Sequence, residues 1–135
     1  MTLIHWNDDL SVNVAEIDRQ HQKMVVMINE LNDEMRKGQG RQILGKIIEG
    51  LLNYAGTHFL TEERYFAKFG YPGAEVHRKE HAAFARKVSE FKEEFDQGRV
   101  GVTVEVMSFL SGWLTKHIRG EDRKYIPTFQ RNGLK

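Results

Sequence analysis

Apolar side chains recur three and four positions apart through four successive segments of the chain, a spacing that places them on one face of an α-helix. The first stripe runs Ile17, His21, Met24, Ile28, Leu31, Met35; the second runs Ile43, Ile47, Leu51, Ala55, His58, Glu62, Phe66, Phe69. The third reads His77, His81, Phe84, Val88, Phe91, Phe95, and the fourth Val106, Leu110, Trp113, His117. Breaks fall at Gly38-Gln39-Gly40, at Gly70-Tyr71-Pro72-Gly73 and between Gly98 and Gly101, where glycine and proline end helices. The pattern predicts helices over about 15–37, 41–69, 74–97 and 102–119, followed by a bent C-terminal segment. Short connections force neighbours to run antiparallel, so the predicted fold is all-α, an up-down-up-down four-helix bundle. Residues 1–14, with alternating Val12 and Val14 and the aromatic Trp6, read as an extended N-terminal arm packed on that bundle.

Histidines and a glutamate interrupt these apolar stripes. Of six histidines, His21, His58, His77, His81 and His117 fall on predicted core faces, and only His5 lies in the arm. One inward histidine is ordinarily a core residue bonded to a backbone carbonyl. Five, with Glu62 buried beside them, are different, because each unpaired buried polar group costs about 2 kcal/mol or more and a lone buried carboxylate is forced to protonate. A shared cation removes the problem for all of them. Their depths also agree: in an antiparallel bundle the start of the first helix, the end of the second, the start of the third and the end of the fourth lie at one level. Chance placement would scatter them.

Length and composition narrow the chemistry. A chain of 135 residues fits one domain, 1–135. Twenty basic against nineteen acidic residues leave a formal charge of +1, so nothing in the balance points to nucleic acid or an anionic membrane surface. No apolar stretch reaches the length of a membrane span, and no basic leader precedes one. Without cysteine there are no thiolate ligands, no disulfides and no thiol nucleophile, which fits a cytoplasmic protein whose metal ligands are nitrogen and oxygen.

The spacings favour chelation. His58 and Glu62, like His77 and His81, are i,i+4 pairs whose side chains stack one turn apart on one helical face. His117 and Asp122 are five apart, about 140° round an ideal helix. Periodicity alone leaves Asp122 on a solvated face within Arg119-Gly120-Glu121-Asp122-Arg123-Lys124 unless a π-type bulge near Ile118 to Gly120 swings it inward. The pentapeptide His77-Arg78-Lys79-Glu80-His81 also matches the H-x-x-E-H signature of zinc peptidases, with Glu80 as general base. That reading leaves three further inward histidines unexplained, and Glu80 is then an exposed residue flanking the pair. A ferritin-like di-iron site needs Glu-x-x-His, which does not occur; the nearest approach, Asp18-x-x-His21, offers a helix-start charge or an outer partner for an imidazole. Five imidazoles and two carboxylates suit iron by ligand type, while softness alone leaves copper and zinc open.

Together these residues resemble hemerythrin over nearly the whole chain: W-N-D-D-L-S-V-N-V-A-E-I-D-R-Q-H at 6–21, H-F-L-T-E-E at 58–63, H-R-K-E-H at 77–81 and W-L-T-K-H-I-R-G-E-D at 113–122. The resemblance implies a four-helix bundle holding two iron ions with a bridging oxo or hydroxo group, which binds dioxygen reversibly. It implies that His77, His81 and His117 hold one iron and His21 and His58 the other, with Glu62 and Asp122 bridging. It therefore places Asp122 inward. On that donor count two octahedral irons are one bond short, and the empty position falls on the iron with two histidines.

Phe59, Trp113, Leu114 and Ile118 neighbour these residues in sequence and are candidates for a dry wall around the open position, although each is also a plausible packing residue. No residue outside the donor set is evidently placed as an acid or base for O–O cleavage, so no catalytic residue is assigned. The expected function is oxygen storage, delivery or buffering by a cytoplasmic monomer that passes oxygen or electrons to a partner. The alternatives on the same site are a di-iron peroxidase, a nitric oxide detoxifying enzyme, or an oxygen or redox sensor acting through a separate partner.

Overall fold

The structure of the chain is a computed structural model, and it describes residues 4–135. The helices are α1 (Ala15–Arg36), α2 (Gly40–Tyr54), α3 (Leu60–Phe69), α4 (Ala74–Asp96), α5 (Val102–Trp113) and the short α6 (Ile126–Arg131). They assemble as four antiparallel rods. α2 and α3 are one continuous rod joined by a wider, π-type turn at Ala55–Phe59, and α5 runs on through a longer π-type stretch, Leu114–Glu121, into a tight turn at Asp122–Tyr125. α1 packs on α2 and α5, and α4 packs on the second rod and on α5, which closes the bundle.

The sequence explains where the rods stop. α3 ends at Gly70, whose φ of 63° is left-handed, a conformation open to glycine at little cost. Its N–H bonds back to the Phe66 carbonyl and ends the helix before the turn into α4. Within the rods the stripes predicted from periodicity face inward: Ile17, Met24, Ile28, Leu31, Ile47, Leu51, Phe66, Phe84, Val88, Phe91, Val106 and Leu110 are all at most 2% exposed. Each such side chain contributes about 1.5–3 kcal/mol of transfer free energy. Met35, Ile43, Phe69, Phe95 and Trp113, at the edges of the stripes, are only partly buried.

The arm is extended, with one tight turn at Asp8–Leu10, and residues 1–3 of the expected segment lie outside the described residues. Leu10, Val12 and Val14 are buried, as the alternation requires. Asp18 holds the arm to α1, accepting hydrogen bonds from Ser11 Oγ at 2.6 Å and Val12 N at 2.9 Å. Its carboxylate therefore clamps the arm and forms no hydrogen bond to an imidazole, which corrects the outer-partner option read from Asp18-x-x-His21. From the far end of the chain, Arg123 Nη1 donates to the carbonyls of Asp8, Asp9 and Ser11 at 3.2, 3.2 and 2.8 Å.

Two apolar clusters fill the interior. The larger includes Leu10, Met24, Leu51, Phe59, Phe84, Leu110 and Leu114; the smaller is Val12, Val14, Ile17, Phe66, Tyr125 and Phe129. A layer of buried polar side chains lies between them.

Candidate metal centre

Seven residues make that layer. His21 comes from α1, His58 from the π-type turn, Glu62 from α3, His77 and His81 from α4, His117 from the second π-type stretch, and Asp122 from the tight turn after it. All are at most 3% exposed. The two acids are shared between two groups: Glu62 and Asp122 with His77, His81 and His117, and the same acids with His21 and His58, the donor atoms of each group lying within 4.8 Å of one another.

The local helix geometry brings Asp122 here. Five residues separate it from His117, and between them the backbone pairs i to i+5, so residues five apart lie roughly above one another instead of on opposite flanks. The widening is longer than the bulge expected near Ile118 to Gly120, because it begins at Leu114 and includes His117 itself. The π-type turn at Ala55–Phe59 has no counterpart in the sequence reading, which treats 41–69 as one regular helix. Nothing in the i,i+4 spacing of His58 and Glu62 reveals it.

Every histidine presents Nε2 to the carboxylates. Asp122 Oδ1 is 2.6 Å from His77 Nε2 and 3.0 Å from His117 Nε2, and Asp122 Oδ2 is 3.0 Å from His21 Nε2. Glu62 Oε1 is 3.0 Å from His81 Nε2, 3.3 Å from His58 Nε2 and 3.7 Å from His77 Nε2. His21 and His58 face each other with their Nε2 atoms 3.0 Å apart. Glu62 Oε1, His81 Nε2, His117 Nε2 and Asp122 Oδ2 are buried and complete no hydrogen bond. Burial of so many convergent donor atoms without partners is costly unless a cation satisfies them together.

The outer nitrogens are oriented by a second set of groups. His58 Nδ1 meets Gln20 Oε1 at 2.6 Å, and His81 Nδ1 meets Glu63 Oε2 at 2.9 Å. Glu80 Oε2 lies 3.3 Å from His117 Nδ1, so Glu80 is half-buried against an imidazole and not the exposed flanking residue expected from the pentapeptide. An outer acceptor holds Nδ1 protonated and leaves the Nε2 lone pair turned inward, the state a cation requires. Gln20, Glu63 and Glu80 adjoin His21, Glu62 and His81 in sequence, but adjacency alone does not show which of them turns toward an imidazole.

Charge follows the same geometry. Burial and the Asp122 charge push the Glu62 carboxyl up, but His58 and His81 outweigh them and hold it well below the usual carboxylate range. Burial likewise works against the charge on Asp122, yet His117, His21 and His77 hold it well below its ordinary value. Both acids are therefore anionic. Burial pulls His21 and His77 down, but contact with Asp122 leaves each above the ordinary imidazole value. His58, where burial dominates over Glu62, falls below it.

Aromatic rings cover both sides of the layer. Phe59 stacks on His81 and Trp113 stacks on His117, each at 3.8 Å between ring centres, and Tyr54 stacks on His58 at 4.8 Å. On the other side Phe66 meets His77 edge-on at 4.9 Å, and the Tyr125 hydroxyl donates to Glu62 Oε2. Of the candidate pocket residues Phe59, Leu114 and Ile118 are buried and Trp113 is half-buried, all packed in or against the larger cluster. Tyr54 and Tyr125 were not among the candidates; Tyr54 stands four residues before His58, on the same face.

A centre built from buried imidazole and carboxylate in a four-helix bundle defines a cation-binding bundle. The hemerythrin HHE cation binding domain family matches residues 12–129, and the chain belongs to that family. It is 34% identical over 125 residues to a bacteriohemerythrin of Stenotrophomonas maltophilia (strain R551-3), covering 93% of this chain and 80% of the relative. A bacteriohemerythrin of Pseudomonas aeruginosa (strain LESB58) is 37% identical over 126 residues, covering 93% and 81%. Among solved structures, a wild-type hemerythrin superimposes with a TM-score of 0.83 at 30% identity, covering 93% of this chain and 97% of that one. No helix among the described residues is long and apolar enough to cross a membrane.

Proposed function

We propose that the chain is a single hemerythrin-like domain, residues 1–135, that binds dioxygen reversibly at a non-haem di-iron centre for storage, delivery or buffering. His77, His81 and His117 would hold one iron and His21 and His58 the other, with Glu62 and Asp122 shared between them and an oxo or hydroxo group bridging. The observation that carries this reading is the sharing of both buried carboxylates by two histidine groups of unequal size. Three histidines against two leave one metal a protein ligand short, and an incomplete shell is what a ligand-binding metal needs. When bound, such a pair supplies reversible electron transfer to dioxygen.

The protein's own residues supply positioning and exclusion of water. Gln20 and Glu63 keep the Nδ1 protons of His58 and His81 outward, so their Nε2 atoms face the centre. Phe59, Leu114 and Ile118 are at most 6% exposed and keep water from the layer, which disfavours loss of reduced oxygen from it. Tyr125 is not free for proton transfer: burial, with the nearby carboxylates, holds its phenol well above the usual value, and its proton is already engaged by Glu62. Binding without turnover is accordingly favoured over peroxidase or nitric oxide chemistry, and we assign the chain to the cytoplasm as an oxygen-binding protein serving a redox or oxygen-accepting partner.

The test is metal analysis together with visible absorption of the ferrous protein cycled between air and vacuum. Two irons per chain and a band that appears in air and vanishes under vacuum are expected. No reversible band would count against carriage, and peroxide turnover beyond that of free iron, abolished in Glu62→Ala, would favour the enzyme.

A further inference from the structure

The outer surface between α1 and α2 carries a feature that the buried layer does not use. A groove of about 640 Å³ runs along the two helices, within the size range of small-molecule sites. Its inner wall is made by His58 and Tyr54, which reach it only as buried side chains. Gln20 is occupied on both sides, with Oε1 at 2.6 Å from His58 Nδ1 and Nε2 donating to Thr61 Oγ1 at 3.2 Å. The groove is therefore a surface feature, separate from the layer beneath it.

Its two ends differ in chemistry. Arg19 and Lys23, one turn apart on α1, stand at one end, and no acid lines the groove. Lys46, on the same pair of helices, meets Glu30 at 3.4 Å, whereas Arg19 and Lys23 have no such partner among the described residues. One turn further along α1 the lining becomes apolar: Val26, 61% exposed, forms the outer lip, and Met27 lies over Gly50. A Cβ at position 50 would come within 2.8 Å of Met27 Sδ, so the floor here depends on the absence of a side chain. The thioether above it is flexible and adapts to an irregular neighbour. From Arg19 to Met27 the helix rises about 12 Å.

A single exposed valine is ordinary on a protein surface. At the apolar end of a groove whose other end holds two unpaired cations, it completes the outline of an amphipathic anion. A membrane surface fits less well, because anionic lipid is held by clusters of about four to eight basic residues. Only two line this groove, and its walls are concave.

We propose that the α1–α2 groove binds a free single-chain amphipathic anion, a medium-chain alkyl carboxylate, with its head between Arg19 and Lys23 and its tail along Val26, Met27 and Gly50. The site is independent of what fills the buried layer.

Decanoate is the probe, titrated by calorimetry below its micelle concentration into the full chain. One decanoate per chain is expected, and octanoate should bind about tenfold more weakly, because two methylenes fewer are buried. Decyltrimethylammonium, which has the same tail and the opposite charge, should show no saturable binding. Arg19→Glu combined with Lys23→Glu should weaken decanoate about tenfold or more, and so should Val26→Asp, which places a charge beside the tail. All three residues are exposed, so melting temperatures should stay close to that of wild type. Decanoate should leave the visible spectrum of the iron-loaded chain unchanged, and failure of the di-iron reading would leave the binding constants as they are. Equal binding of the cationic amphiphile, several decanoates per chain, or unaltered affinity in either variant overturns the proposal. Binding only to phosphatidylglycerol vesicles, or a wild-type dimer that Val26→Asp splits, would give the groove to a membrane or to a second copy and overturns it as well.

Discussion

Tyr125 donates its phenol hydrogen to Oε2 of Glu62, and this leaves Oε1 as the oxygen approached by His58, His77 and His81. The contact joins the turn after the fourth rod to the second rod, and it fixes the carboxylate plane without consuming both lone pairs of Oε2.

Tyr125→Phe should therefore loosen the centre without emptying the core. The ring keeps its stacking on Phe129 at 4.4 Å, while Glu62 Oε2 loses the one donor it has among the described residues. A stability loss of about 1–3 kcal/mol is expected. Metal affinity should drop about 10- to 100-fold, the usual effect of removing an outer partner of a ligand. Thermal melting and retention of iron against a chelator read the two effects separately.

The shared and unshared donors should behave differently when removed. His21→Ala takes a donor only from the group of two histidines, so iron content should fall from about two to about one per chain. Asp122→Ala takes an oxygen from both groups and should bring the content close to zero. Elemental analysis of the purified variants decides this, and equal losses in both would contradict the shared-carboxylate arrangement.

Arg123 ties the arm to the C-terminal turn through three carbonyls. Arg123→Ala should cost about 1 kcal/mol, since these bonds are solvent-exposed. Limited proteolysis should then cut within residues 4–12 faster than in wild type, and wild-type resistance there would show that Asp18 holds the arm alone.

The metal-free and metal-loaded chains should respond to pH with opposite signs. In the metal-free fold His21 and His77 lie above the ordinary imidazole value, held there by Asp122 against burial. Their contribution is present below a pH of about 6.5 and is lost as pH rises through the raised values. His58, lowered by burial, acts the other way, one group against two. Melting temperature of the chelator-treated protein should fall between about pH 6 and 8, whereas that of the ferrous protein under nitrogen should rise, because imidazoles bind metal only when Nε2 is unprotonated. Parallel curves would mean that the charged imidazoles do not stabilise the metal-free fold.

Much of this architecture could be read from spacing. Apolar stripes at three and four residues placed the rods, and the histidines within them marked one level of the bundle, because period and depth are properties of the chain alone. Asp122 was another matter. An ordinary helix turns it to solvent, and only the family resemblance placed it inward; the i to i+5 pairing over Leu114–Glu121 supplies the physical reason. The turn at Ala55–Phe59 was illegible because it leaves the facing of His58 and Glu62 as a regular helix would have it. Tyr54, Gln20 and Glu63 were visible as residues but not as parts of the site, since which neighbour of a buried histidine points at it depends on rotamers and on the rod opposite.

Arg123, next to Asp122, grips the carbonyls of Asp8, Asp9 and Ser11. On a ribosome the arm and His21 emerge early and Asp122 late, so neither histidine group has both of its acids until the fourth rod has been made. A nascent chain thus holds an incomplete basket, and capture of a cation would report that every rod has found its place.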